Sequence, residues 1–228
     1  HCLKLCGMGL PMGLQYSITA IGSVILQTAV NDMGSTYVAA VSAGTKISMF
    51  MCCPFDAMGS TMATYGGQNV GAKRLDRVDQ GLKACIKMGI IYALVALAFS
   101  IVFGKQLALL FVKKEQTELI GYIYEFVVAN AAFYICLALV NIVRFMIQGL
   151  GYSTFAILAG ICEMIARSVA GFILVPHFGF ICVSLGSPLA WVCADLFLIP
   201  AYLWVMKQLR RKFGEDKNGR TQTTAALS

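Results

Sequence analysis

The side chains in this chain that could do chemistry are few, and most stand inside apolar surroundings. Glu163 and Arg167 are four residues apart. That spacing puts both on one face of a helix with the acid first, the better order for an ion pair. Such a pair can lock helix packing, or it can act as a charge relay that changes partner. Asp195 and Asp56 are further carboxylates within apolar runs. Lys46 is an amine at the same kind of position, facing either a water-filled cavity or a partner on a neighbouring helix. Arg144 stands near the end of its run, where its guanidinium is expected to snorkel to water. Neutral polar groups recur as well: Gln15, Tyr16, Ser17 and Thr19 in one run, and Asn130, Tyr134 and Asn141 in another. Asn130 and Tyr134 are one helical turn apart, with Asn141 on the same side. Stripes of this kind either glue helices together or line a route for polar molecules.

These groups do not assemble a reaction centre. The two histidines, His1 and His177, both lie at edges of runs. There is no HExxH, no GxSxG elbow and no carboxylate pair, so neither metal-assisted nor nucleophilic hydrolysis is expected, and no enzyme activity or cofactor. The nine cysteines read as small apolar residues with free thiols, since Cys85, Cys136, Cys162, Cys182 and Cys193 are all embedded in apolar stretches.

The elements that must hold these groups are set by composition. Hydrophobic residues make up 58% of the chain and charged ones 13%, with a mean hydropathy of +0.74. A soluble domain carries about 25% charged residues, so lipid must solvate part of this surface. Apolar runs long enough to span as helices, about 20 residues each, predict an all-α membrane protein, a bundle of six transmembrane helices at about 8–30, 37–65, 78–112, 117–148, 154–175 and 183–206. Continuous runs of this length argue against a β-barrel, whose signal is alternation over about ten residues. Pro54, within the second helix, is expected to bend it. Residues 207–228 form a basic tail with a disordered end. Opening without Met on His1-Cys2-Leu3-Lys4, the chain reads as a segment of a longer polypeptide or a matured product.

Charge gives the orientation. Lys4, Lys73, Arg74, Arg77, Lys83, Lys207, Arg210, Arg211 and Lys212 collect on one side, against Lys105, Lys113 and Lys114 with Asp32, Glu115 and Glu118 on the other. By the positive-inside rule, both termini are expected in the cytoplasm and the bundle in the plasma (inner) membrane. The net charge of +7 is mostly this bias and does not point to nucleic acid.

Five short segments carry a family resemblance: Gly9-Leu10-Pro11-Met12-Gly13, Val38-Ala39-Ala40, Gly67-Gln68-Asn69-Val70-Gly71-Ala72, Gln148-Gly149-Leu150-Gly151-Tyr152-Ser153 and Ser187-Pro188-Leu189-Ala190-Trp191. In this order and spacing, over residues 7–213, they resemble the multidrug and toxic compound extrusion (MATE) transporters. The resemblance implies the C-terminal six-helix lobe of a twelve-helix secondary antiporter, in which Na⁺ or H⁺ enters as an organic, often cationic, compound leaves. It implies membrane lipids, an N-terminal lobe of the same carrier or a second copy of this chain as partners. Some relatives place coupling acids in the first and fourth helices of this lobe. Here the first helix has none before Asp32, and the fourth has none between Glu125 and Glu163. The coupling site is therefore expected in the absent lobe, and this chain alone is not expected to transport. Half of a lipid or polysaccharide flippase of the same superfamily and a non-transporting membrane scaffold are the alternatives. A flippase would need a large cationic cavity, and Lys46, Arg144 and Arg167 are the cations at hand.

Overall fold

The structure, a computed structural model, describes residues 2–213, with side chains for residues 9, 10 and 13–213. In chain order it consists of α1 (Cys2–Asn31), α2 (Ser35–Gly71), α3 (Leu75–Ala108), α4 (Thr117–Ala132), α5 (Tyr134–Gly149), α6 (Ser153–Val169), a π-helical turn (Ala170–Leu174), α7 (Val175–Phe178) and α8 (Phe180–Phe213). There is no strand among the described residues. α6, the π turn and α7 form one rod. That rod, α2, α3 and α8 are four helices long and apolar enough to cross a membrane, and α4 with α5 makes a fifth span bent by 51°. α1 lies along the α6 rod as a further 30-residue helix.

α2 is helical through Pro54. The helices stand where the apolar runs put them, with two differences. The fourth expected helix is two, broken at Phe133. The last helix continues to Phe213, so the basic tail begins as helix. Residues 214–228, where a disordered end was expected, lie outside the described residues.

Packing is organised around α5. It contacts α2, α3, α6 and α8, and every residue from Val140 to Ile147 is buried. Close approach to α2 depends on small residues, as membrane helix packing requires. Gly59 lies under the Phe145 ring. At Gly149 a Cβ would lie 2.1 Å from the Ala63 carbonyl oxygen. By contrast α1 and α2 touch only slightly, so the two helices diverge with α5 behind them.

The outward faces divide by chemistry. α3 presents Met88, Ile91, Leu94, Val95, Phe99 and Val102, and α8 presents Ile181, Leu185, Leu196, Ile199 and Leu203. These are surfaces for acyl chains. The outward face of α2 instead carries Ser42, Thr45, Lys46, Asp56, Ser60, Thr61, Thr64 and Gln68, with Met49, Phe50 and Cys53 among them.

Candidate functional site

The site is built on one side of α5. Asn141, Arg144 and Gln148 are spaced three and four apart, which places them on a single helical face. Each reaches a different helix. The Asn141 amide donates to Asp56 Oδ1 on α2 at 2.9 Å. Arg144 donates to and pairs with Glu163 on α6. Gln148 donates to Gln15 on α1. α5 thus ties three helices together with polar contacts inside an otherwise apolar bundle.

Glu163 is the hub of a buried charge cluster. Arg167 approaches its other oxygen at 3.4 Å from one turn further along α6. Arg167 also donates to the Thr19 carbonyl of α1 at 3.4 Å. Asp195 on α8 is within electrostatic reach of Arg144. The four charged side chains are each under a tenth exposed. Two guanidinium groups face two carboxyl groups, so the charges balance when both acids are ionised. Such a cluster, removed from water, holds only while its members satisfy one another. The satisfaction is uneven: both direct pairs go to Glu163, whereas neither oxygen of Asp195 has a hydrogen-bond donor.

The remaining candidate residues separate into three groups. Asn130 is buried and donates to the Phe126 and Ser184 carbonyls at 2.8 and 3.3 Å. Tyr134 is fully buried, with its ring against Phe55 and Trp191. Both make contacts between helices, Asn130 to Ser184 and Tyr134 to Trp191 of α8. The break at Phe133 also takes Asn130 off the face that carries Asn141. Lys46 is exposed on α2, its ammonium 6.0 Å from the Phe111 ring beyond the end of α3. Tyr16 is exposed on α1, whereas Gln15 is buried and Thr19 half-buried. Arg144, expected to snorkel, does not: α5 is ringed by other helices, and the guanidinium meets Glu163 instead. The periodicity of Asn141, Arg144 and Gln148 was the signal for this inward face.

The outward face of α2 is a polar stripe over most of the helix. Three of its hydroxyls bond back to their own helix, Ser60 and Thr61 to the Ala57 carbonyl at 3.2 and 2.8 Å and Thr64 to the Ser60 carbonyl at 3.2 Å, so these three need no water. Lys46, Asp56 and Gln68 do need water or a polar partner at the surface. Towards the α2–α3 turn, Ser60, Thr61, Thr64, Tyr65 and Gln68 line a shallow groove of about 420 Å³. A second polar contact closes the same end of the bundle: the Tyr202 hydroxyl donates to Asp79 Oδ1 at 2.8 Å, and Arg210 pairs with Asp79. Among the described residues no cluster of three or more His, Cys, Asp or Glu could hold a metal ion.

Comparison with known proteins agrees with this architecture. The chain is 23% identical over 118 residues to the probable multidrug resistance protein YoeA of Bacillus subtilis (strain 168), an alignment covering 52% of this chain and 26% of that one. It superimposes on the Vibrio cholerae MATE transporter VcmN with a TM-score of 0.83 at 17% identity, covering 91% of this chain and 47% of that one. It also superimposes on a MOP superfamily transporter from Pyrococcus furiosus with a TM-score of 0.76 at 20% identity, covering 88% and 45%. At these identities the structural likeness shows the fold, and the chain spans less than half the length of each of these proteins. The MatE family model matches residues 11–173, well over half of the sequence, and the chain is therefore a member of the MatE family, a family of membrane transporters.

Proposed function

We propose that this chain is the C-terminal lobe of a secondary active multidrug, organic-cation efflux antiporter coupled to Na⁺ or H⁺. It works by alternating access against an N-terminal lobe or a second copy of itself. The observation that carries this reading is the outward face of α2. A polar stripe with an acid and an amine is out of place against acyl chains, whereas α3 and α8 present the apolar faces that lipid requires. The stripe suits a hydrated cleft between two lobes. Asp56, oriented by Asn141 through one oxygen, keeps its other oxygen for a cationic substrate. The coverage of less than half of the solved transporters supports a single lobe. The bias of Lys and Arg toward the end with the α2–α3 turn and the last turns of α8 supports cytoplasmic termini in the plasma membrane. A flippase reading is disfavoured, because Arg144 and Arg167 are committed to Glu163 rather than to a cationic cavity.

The test is efflux of a fluorescent organic cation from proteoliposomes under an imposed proton or sodium gradient. The chain as a monomer is expected to be inactive. Co-reconstitution with a complementary lobe is expected to give gradient-driven efflux that Asp56→Asn reduces. Exchange by the chain as a monomer, or no exchange with any complementary lobe, would overturn the proposal.

A further inference from the structure

The buried charge cluster distributes its contacts unequally, and that inequality has a chemical consequence. Glu163 receives both arginines. Asp195, 7% exposed, receives no hydrogen bond at either oxygen, and the nearby Arg144 Nε is likewise without an acceptor. A buried carboxylate with no donor keeps the full cost of its lost hydration. A guanidinium on the next helix offsets that cost only through space. One change removes the carboxylate that lacks donors without moving a helix: a proton on Asp195, which leaves the cluster with one net positive charge.

We infer that Asp195 is a proton-binding site within this lobe, with Glu163 as the fixed anion and Arg144 as the cation that answers to both acids. The step is an acid–base exchange: a hydronium ion gives its proton to the carboxylate, leaving water and a neutral carboxylic acid, and the reverse step returns it. With Asp195 neutral, Arg144 belongs to Glu163 alone. With Asp195 ionised, Arg144 is drawn towards α8 as well. Of the charged and titratable groups on the elements packed against α8, Arg144 and Cys136 on α5 lie within electrostatic reach of Asp195. Glu163 and Arg167 on α6 join it through Arg144, and Tyr16 on α1 lies within electrostatic reach of Arg144. Tyr134 on α5 sets its ring against Trp191 of α8, and Cys162 on α6 and His177 on α7 complete the set on α5, α6 and α7. Asp79 on α3 is held at the end of the bundle by Tyr202 and Arg210. α4 brings the neutral Asn130 to the Ser184 carbonyl and the Tyr122 ring to Phe180, both towards the start of α8; its remaining titratable groups are Glu118, Tyr124 and Glu125. A sodium ion suits the place less well, because the Arg144 guanidinium within electrostatic reach would repel it.

The surrounding helices are ones that can respond. Asp195 lies between Pro188 and Pro200 inside α8. α5 begins at the 51° break, and α6 runs into the π turn. Prolines and π turns are where helices bend. A change of charge at Asp195 would therefore act on α8 between its two prolines.

The role of this proton in an exchange cycle rests on the carrier reading above, but its binding can be measured on the isolated chain. The experiment is infrared difference spectroscopy of the purified chain in phosphatidylcholine nanodiscs, titrated from about pH 5 to about pH 9, the span in which buried carboxyl groups are known to exchange protons. The expected result is a carboxylic-acid carbonyl band that fades as pH rises, is lost in Asp195→Asn, shifts in frequency in Asp195→Glu and persists in Asp56→Asn. A fading band that survives Asp195→Asn, or one unshifted in Asp195→Glu, overturns the inference, as does the absence of any band that depends on Asp195. None of these failures touches the carrier reading, which stands or falls on the efflux assay.

Discussion

Arg144 on α5 and Glu163 on α6 form an ion pair whose side chains are only 6% and 3% exposed. A pair so far from water stabilises mainly by what its loss would leave behind. In Glu163→Gln, Arg144 and Arg167 would face each other with no fixed anion between them. That variant is expected to lose about 3–5 kcal/mol of stability, read as a lower unfolding midpoint in detergent. Arg144→Lys keeps the charge but not the planar fork and should fall between wild type and Glu163→Gln. Unchanged midpoints would mean that the cluster does not hold α5 to α6.

The packing of α5 on α2 makes a sharper steric prediction. Gly149→Ala would place a methyl 2.1 Å from the Ala63 carbonyl oxygen, whereas Gly121→Ala on α4 would meet nothing within 4 Å. The first should cost about 1–3 kcal/mol through forced backbone movement. The second should be neutral or slightly stabilising, because alanine is the better helix former. Paired thermal unfolding curves of the two variants check this.

At the end of the bundle that carries the α2–α3 turn, Tyr202→Phe removes the donor to Asp79 but keeps the ring. A loss of about 0.5–1.5 kcal/mol is expected, with faster amide exchange in the first turns of α3. Arg210→Ala should act in the same direction and lose its effect at high salt, since Arg210 and Asp79 are each about a quarter exposed.

The helices were largely legible in the sequence because apolar runs of bilayer length have few other uses. The break at Phe133 was not, because neither glycine nor proline marks it; it is imposed by packing against the surrounding helices. The site was legible in its composition but not in its pairings. Glu163 with Arg167 follows from a spacing of four on one helix. Arg144 with Glu163, and Asn141 with Asp56, join helices that sequence alone does not place side by side. Arg144 was read as snorkelling because it lies only five residues from Gly149, a distance that ignores the helices around α5. Asn130 shares a spacing with Tyr134 and Asn141 that the break interrupts, whereas Tyr134 stays on α5 with Asn141.

The claim on which the functional account depends is that the outward face of α2 meets water. It is tested by attaching a membrane-impermeant thiol reagent to single cysteines in the lobe, reconstituted with its complementary lobe in lipid. Cys53, and cysteines placed at Asp56, Ser60 and Thr64, are expected to react, while cysteines at Ile91, Val95 and Leu196 stay unlabelled. If the α2 positions were as inert as those on α3 and α8, the stripe would face acyl chains and the cleft would not lie there.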